Sequence, residues 1–419
     1  MNAASKPMII GVGMTEFGRH LTRPVRDLAG EAIRLALADA ALSIGDIQMV
    51  YFGNATQGAT EGQGSIRGQV VLRHLGFEGI GVVNVENACA TGATALIEAA
   101  KAVRAGACDI ALAVGVEKMV FEDRGKMAGV FEGGMDVTRI DQTIADMAAL
   151  GDGVTVPDDF TGMAQYSPFM DVYAGLGRMH MREYGTTIEQ IAAVAAKNHQ
   201  NSVLNPHAQY RRGMTVEEVL NARGVTYPLT VAMCAPVSDG AAAAIVCSPA
   251  VARRRGLCGR ALAIEGTALR SGVDRDPRDL DRHISALTAH DAYAAAGMGP
   301  GDMSLAEVHD ATAVGEIMQI EHLGFCPRGE GGPYSARGAT RIDGRIPVNP
   351  SGGLEAKGHP IGATGLGQIY ELATQLRGEA GARQVAQARF GIAENGGGVL
   401  GAEEAVCAVT ILSAPTKGL

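Results

Sequence analysis

Two stretches that repeat each other decide the fold. "VENACATGATALIEAAKAVRAG" spans Val85–Gly106 and "GHPIGATGLGQIYELATQLRG" spans Gly358–Gly378. Gly92-Ala93-Thr94 aligns with Gly362-Ala363-Thr364, and the same offset carries Cys89 onto His359. Each of these two residues stands just before a segment whose apolar positions follow helical spacing. The repeat extends outward. "PMIIGVGMTEFG" reads as a strand entering a turn, "DLAGEAIRLALADAAL" as an amphipathic helix, and "SIGDIQMVYFGN" as a turn and a second strand ending at Asn54. From Leu262, "LAIEGTALRSG", "ALTAHDAYAAAGM" and "GPGDMSLAEVHD" give strand, helix, turn and strand again. Gly45-Asp46-Ile47 matches Gly301-Asp302-Met303. A period this long is not a solenoid. It predicts an α/β chain of two duplicated βαβ-type halves that face each other, with Cys89 and His359 at one pocket.

The repeat is interrupted. Residues 118–230 hold a mixed, Met-rich stretch and then "TTIEQIAAVAAKNHQNSVLNPHAQYRRG", an amphipathic helix followed by loop. This reads as an insertion covering the site. "APVSDGAAAAIVCSP" then reads as a turn and a buried strand. The expected organisation is a first half over 1–117 and 231–258, an inserted domain over 118–230 and a second half over 259–419.

Composition narrows the functional classes. The chain has 419 residues, 47% hydrophobic and 19% charged, with 57 glycines and no tryptophan. Small residues in that number suit close helix-on-sheet packing. The net charge is −9 and no basic tract appears, so no nucleic-acid partner is expected. The run Arg253-Arg254-Arg255 reads as a solvated helix end. No secretory h-region and no apolar run of about 18 residues is seen, so neither secretion nor a membrane span is expected. The seven cysteines are odd in number and form no CxxC pair. No disulfide framework and no metal site is expected, and a reducing cytoplasm is the natural compartment.

A cysteine at a helix start sits near unpaired N–H groups and the positive end of the dipole, which favour thiolate. The same amides can hold an oxyanion. The imidazole of His359 could activate the thiol or polarise a carbonyl. His309, in "AEVHDATAVGEIMQIEHLGF", stands where an apolar strand ends and a helix follows, the usual place for α/β sites. His199 and His322 read as helix-surface residues. "VNPSGGLEAKGHPIGATG" is not a phosphate loop, because Lys357 precedes Gly358 instead of following it, and "GVGMTEFG" is not GxGxxG.

With "NACATG", "SDGAAAAIV", "EVHDATAVGEIMQIEHLGFCPRGEGG" and "VNPSGGLEAKGHPIGATG" in this order, the chain resembles the thiolase superfamily over essentially its whole length. "HMREYGTTIEQIAAVAAKNHQNSVLNPHAQYR" is most similar to the sterol-carrier-protein type and its bacterial and archaeal relatives. The resemblance implies a five-layered αβαβα fold with a loop domain inserted in the first half. It implies acylation of Cys89 by an acyl-CoA, activation by His359, one oxyanion hole involving His309 and a second at the backbone of Gly396. Coenzyme A would be substrate or product, with no bound cofactor. A homodimer is implied, and for several relatives a small OB-fold, zinc-ribbon partner that gives a heterotetramer.

The departures from that pattern matter. Where many thiolases carry an acid/base cysteine in C-x-G-G-G, this chain has Glu394-Asn395-Gly396-Gly397-Gly398; where others carry the cysteine of H-D-C-F, it has Ala311. Glu394 is therefore the expected acid/base, provided burial raises its pKa. The alternatives are acyl transfer to another carbon nucleophile, a retro-aldolase acting on a β-hydroxyacyl-CoA, and a non-catalytic acyl-CoA-binding subunit.

Overall fold

A computed structural model describes residues 6–415 except 124, 125 and 127. Of the expected halves, residues 1–5 and 416–419 lie outside the described residues. The strands run β1 Met8–Met14, β2 Met49–Gly53, β3 Gly81–Val85, β4 Ile110–Glu117, β5 Gly224–Thr226, β6 Leu229–Thr230, β7 Gly240–Cys247, β8 Leu262–Ser271, β9 Leu305–Glu307, β10 Phe390–Gly397 and β11 Val406–Ser413. Among the described residues nine of them form one sheet of order β3-β2-β4-β7-β1-β8-β11-β10-β9, while β5 and β6 pair separately.

That order carries the duplication. The run β2-β4-β7-β1 is followed by β8-β11-β10-β9, its reversed counterpart, and the halves join through a short antiparallel contact of Met8 and Ile9 with Ala263 and Leu262. β2–β4 and β9–β10 are parallel, whereas β4–β7, β7–β1, β8–β11 and β11–β10 are antiparallel. The counterpart of β3 is reduced to one parallel bridge, Ala306 to Val348. The matched Gly-Asp turns prove equivalent as well. Asp46 accepts from Ser43 N at 2.9 Å and Asp302 from Gly299 N at 2.8 Å, each closing a single 3₁₀ turn.

Away from the β3 edge the sheet is buried on both faces, so its central strands lack polar alternation. In β7, Ala242, Ala244 and Val246 face one core while Ala241, Ala243 and Ile245 face another. Helices Val25–Asp39 and Pro249–Arg254 cover the outer face of the first half. Ile284–Ala296 and Ala313–His322 cover that of the second. Between the two halves lie the helices Thr91–Arg104 and Thr364–Leu376, packed on each other and on strands of both halves. The layers are therefore αβαβα.

The Gly-Ala-Thr repeat has a physical cause in this central layer. A Cβ on Gly92 would sit 2.8 Å from Gly362 O, one on Gly115 2.1 Å from the same oxygen, and one on Gly365 2.5 Å from Ala93 N. The two helix starts touch backbone to backbone, and only glycine permits that. Arg253, Arg254 and Arg255 are exposed, as a solvated helix end should be. Between β4 and β7 the chain builds helices Ile140–Ala149, Phe169–Tyr184 and Ile188–Val203. Their apolar faces share one core with Val314, Ile317 and Met318 of the second half. Among the described residues no helix is long and apolar enough to cross a membrane.

Candidate active site

Cys89 lies in a 3₁₀ turn, Ala88–Ala90, that leads into the helix Thr91–Arg104. Ala88 has φ +47°, a left-handed conformation that side chains other than glycine resist, so the turn that presents the sulfur is strained. His359 precedes the matching turn, Ile361–Ala363. His309 follows β9. One ligating atom from each of Cys89, His309 and His359 lies within 4.8 Å of the others. Among the described residues this is the only trio of its kind, and its soft donors could also take up a divalent cation. The meeting of Cys89 and His359 is the one expected from the repeat, and His309 joins them from a third segment.

Hydrogen bonds set the two imidazoles in different tautomers. Thr364 Oγ1 donates to Pro360 O at 3.0 Å and lies 2.6 Å from His359 Nδ1. A hydroxyl has one proton, so Nδ1 carries the hydrogen of the second bond and Nε2 is left as a free base. At His309 the roles reverse. Asn395 Nδ2 lies 3.1 Å from His309 Nδ1 and 3.4 Å from Gly396 O, which can only accept. The amide nitrogen therefore donates to Nδ1, and His309 Nε2 keeps its hydrogen. One imidazole is poised to take a proton and the other to donate a hydrogen bond. Burial lowers both pKa values, that of His309 to about 4, so both rings are neutral.

The thiol does not behave as its helix position suggests. Burial pushes Cys89 up to about 12; the amides of Gly398 and Cys89 pull it down, and Glu117 and Glu86 push it up further. A rise of this size opposes thiolate by about 4 kcal/mol. A helix terminus returns about 0.3–2 kcal/mol, so desolvation wins. The free site holds a neutral thiol beside a neutral base.

These groups line a cavity of about 600 Å³. Part of its wall comes from the inserted region, including Phe131, Met163, Phe169 and Tyr173, which closes over the cysteine. Glu394 is fully buried but does not line this cavity. Its Oε2 accepts the backbone N–H of His309 at 3.0 Å and its Oε1 faces Cys407 Sγ at 3.5 Å. The reason is strand alternation: Ala393 and Asn395 face the central layer, so Glu394 faces the outer core. Burial raises its pKa to about 8. Gly396 does not line the cavity either; Gly397 and Gly398 do, and the Gly398 amide hydrogen-bonds the sulfur.

Two further carboxylates and two histidines escaped the sequence reading. Glu404 lines the cavity. Glu117 is buried, acts electrostatically on the cysteine, and holds Ala55 N and the hydroxyl of Thr56. His199 and His322, expected on the surface, are buried. His199 Nε2 donates to Ala232 O at 3.1 Å, and His322 stacks on His283 with ring centroids 3.9 Å apart. Their helices are covered by other elements on both sides, which single-helix periodicity does not reveal.

The segment "VNPSGGLEAKGHP" is a scaffold of buried charge. Lys357 Nζ donates to Glu307 at 3.0 Å, and Ser351 donates to the same oxygen at 2.7 Å. Asp310 accepts Leu354 N at 2.7 Å, while Lys197 pairs with Glu316 at 2.5 Å. Ser238 Oγ accepts His359 N at 2.9 Å, fixing the start of the histidine from the "SDG" side.

Comparison with known proteins agrees with this architecture. The model of the thiolase N-terminal domain matches residues 7–250, and that of the thiolase C-terminal domain matches residues 271–413. The chain is 40% identical over 396 residues to an acetyl-CoA acetyltransferase of Methanothermobacter thermautotrophicus, covering 94% of this chain and 96% of that one. It is 34% identical to the benzoylsuccinyl-CoA thiolase subunit BbsB of Thauera aromatica, covering 92% of each. Among solved structures, the Ltp2-ChsH2(DUF35) aldolase superposes with a TM-score of 0.75 at 26% identity, over 98% of both chains. Matched at both ends by thiolase domains, with two halves that meet at a cysteine and two histidines, the chain belongs to the thiolase family.

Proposed function

We propose that this thiolase-family acyltransferase cleaves or forms the carbon–carbon bond of a β-ketoacyl-CoA through an acyl thioester on Cys89. The observation that carries the reading is the convergence of Cys89, a His359 whose Nε2 is free to accept and a His309 whose Nε2 is free to donate. In the cleaving direction the thiol proton passes to His359 Nε2 as sulfur attacks the β-carbonyl. The developing oxyanion meets the N–H groups of Gly398 and Cys89, which act before reaction and need no reorganisation. His309 faces the thioester carbonyl whose enolate leaves. Coenzyme A then takes the acyl group from Cys89. The relatives named for acetyl-CoA and benzoylsuccinyl-CoA support a CoA thioester as substrate.

The test is direct. Incubation with straight-chain acyl-CoA thioesters, followed by digestion and mass spectrometry, should place the acyl mass on the Cys89 peptide. Acylation elsewhere, or full turnover by Cys89→Ser, would refute the mechanism. A second reading, retro-aldol cleavage of a β-hydroxyacyl-CoA, draws support from the aldolase among similar structures and from a resting thiol that is neutral. That reaction needs no acyl-cysteine, so the same experiment separates the two.

The assembly belongs to this reading. A homodimer is supported by an uncovered sheet edge at β3, and a small OB-fold, zinc-ribbon partner by the DUF35 component of the similar aldolase. A reducing, cytoplasmic setting remains the reading of the free cysteines.

A further inference from the structure

Any carbon–carbon cleavage next to a thioester needs a proton donor for the leaving α-carbon and an acceptor for the incoming thiol. The positions where thiolases keep a cysteine do not supply one here: Ala311 has no proton, and Glu394 is turned away from the cavity. We propose that Glu404 is the catalytic acid and base of the carbon step, a role that rests on the thiolase reading above.

Geometry carries this assignment. Glu404 lines the same cavity as Cys89, His309 and His359. Its neighbour Glu403 is fully committed elsewhere, accepting Val273 N at 2.9 Å, Ile284 N at 3.0 Å and Arg275 Nε at 2.6 Å. This clamp pins the turn and leaves the adjacent side chain to point the other way. Gly396 makes room for it, since a Cβ there would lie 2.7 Å from Glu404 Cγ. The glycine of the expected oxyanion position thus shapes the bed of the carboxylate.

The carboxylate is steered without being neutralised. Gln319 Nε2 donates to Oε1 at 3.1 Å, while Oε2 is buried and accepts no hydrogen bond. His283 Nε2 stands 3.5 Å from Oε2, and His283 Nδ1 accepts Ser285 N at 3.2 Å, which leaves the hydrogen on Nε2. With that nitrogen 3.5 Å away and no hydrogen bond made, Oε2 is left open to a transient partner. Burial raises the Glu404 pKa to about 7, where an acid/base works best at neutral pH. Rival groups fit less well. Glu86 also lines the cavity, but its Oε1 holds Ala88 N at 2.6 Å. The hydroxyl of Tyr173 is raised well above 10 by burial and the nearby carboxylates.

The step balances. Cys89 sulfur bonds to the β-carbon of the ketoacyl-CoA, its proton resting on His359. The α–β carbon bond breaks, and its electron pair takes the Glu404 proton at the α-carbon, releasing the fragment that carries the original coenzyme A (acetyl-CoA for a straight chain) and leaving the shortened acyl group on Cys89. The Glu404 carboxylate then takes the proton of the coenzyme A thiol. The new thioester forms as Cys89 leaves and recovers its proton from His359.

α-Proton exchange tests the assignment apart from acylation. Acetyl- to octanoyl-CoA are incubated in D₂O with the wild type, Cys89→Ala, Glu404→Gln, Glu404→Asp and Tyr173→Phe, and deuterium at the α-carbon is read by NMR. Wild type and Cys89→Ala should exchange. Glu404→Gln should exchange at least about 100-fold more slowly, yet acylate Cys89 within about threefold of wild type. Glu404→Asp should recover part of the loss. Undiminished exchange in Glu404→Gln, loss on Tyr173→Phe alone, or no exchange by wild type with any thioester would overturn the proposal. Failure of Cys89 acylation with Glu404-dependent exchange intact would instead overturn the acyl-cysteine reading and leave Glu404 its role.

Discussion

At Cys89, two effects of opposite sign meet. The turn that precedes the helix Thr91–Arg104 aims amides at the sulfur, while an apolar cavity and the carboxylates of Glu117 and Glu86 oppose its charge. Since burial dominates, the free thiol should alkylate slowly at neutral pH. Inactivation by iodoacetamide should climb from pH 6 to pH 10 with no plateau near pH 7; an early plateau would mean a preformed thiolate. Glu394 leads to a second prediction. Its folded pKa is about 8, above the usual carboxylate value, so the folded state binds the extra proton. Its stabilising contribution is complete below about pH 4.5, falls as pH rises and is gone above about pH 8. The melting temperature should therefore drop between pH 5 and pH 9, and Glu394→Gln should flatten that slope; an unchanged slope would show that another group supplies it. His359 was legible because the repeat pairs it with Cys89. Glu404 was not, because its direction depends on Glu403, Gly396 and Arg275, which are distant in sequence or silent in pattern.

Elements hold these residues in place by contact between backbones. The seam between the helices Thr91–Arg104 and Thr364–Leu376 fixes how far Cys89 lies from His359. Gly92→Ala would press a methyl to 2.8 Å from Gly362 O, a backbone atom that cannot swing aside. Overpacking of this kind typically costs about 1–3 kcal/mol. The substitution should lower the melting temperature and slow Cys89 acylation more than it raises KM. Gly301→Ala, which meets nothing within 4 Å, is the matched control and should change neither. The segment "VNPSGGLEAKGHP" works by buried charge instead. Lys357 and Glu307 are 1% and 0% exposed, so removing one partner strands the other. Lys357→Met should destabilise the fold by about 3–5 kcal/mol, measured by urea unfolding. A cost under about 1 kcal/mol would show the pair to be dispensable. The sequence marked this segment by its resemblance to the family and by its failure as a phosphate loop, but neither told which partners its charges meet. Its partners Glu307, Asp310 and Glu316 come from another segment, brought alongside by the fold.

Across the whole molecule, duplication explains both what could be read and what could not. Matched turns and helix starts disclosed two halves, because each half must satisfy the same local geometry. The continuous sheet through β1 and β8 left no such trace, since only Met8 and Ile9 make the junction. Nor did the loss of a full strand opposite β3. That asymmetry has a consequence. At one end of the sheet β9 is buried and bridged by Val348. At the other end β3 is largely exposed, with Val83 40% accessible. An open edge strand presents unpaired backbone groups, a template for pairing unless something covers it. A second copy related by a twofold axis would cover it with the same strand, extending the sheet across the interface. Light scattering should then give twice the 43.3 kDa mass of one chain. Val83→Lys would set like charges opposite each other across the axis, where they repel. It should shift the equilibrium toward monomer, most strongly at low salt, because screening weakens the repulsion. A dimer of unchanged dissociation constant in that variant would place the interface elsewhere, and a wild-type monomer would leave β3 to a different partner chain.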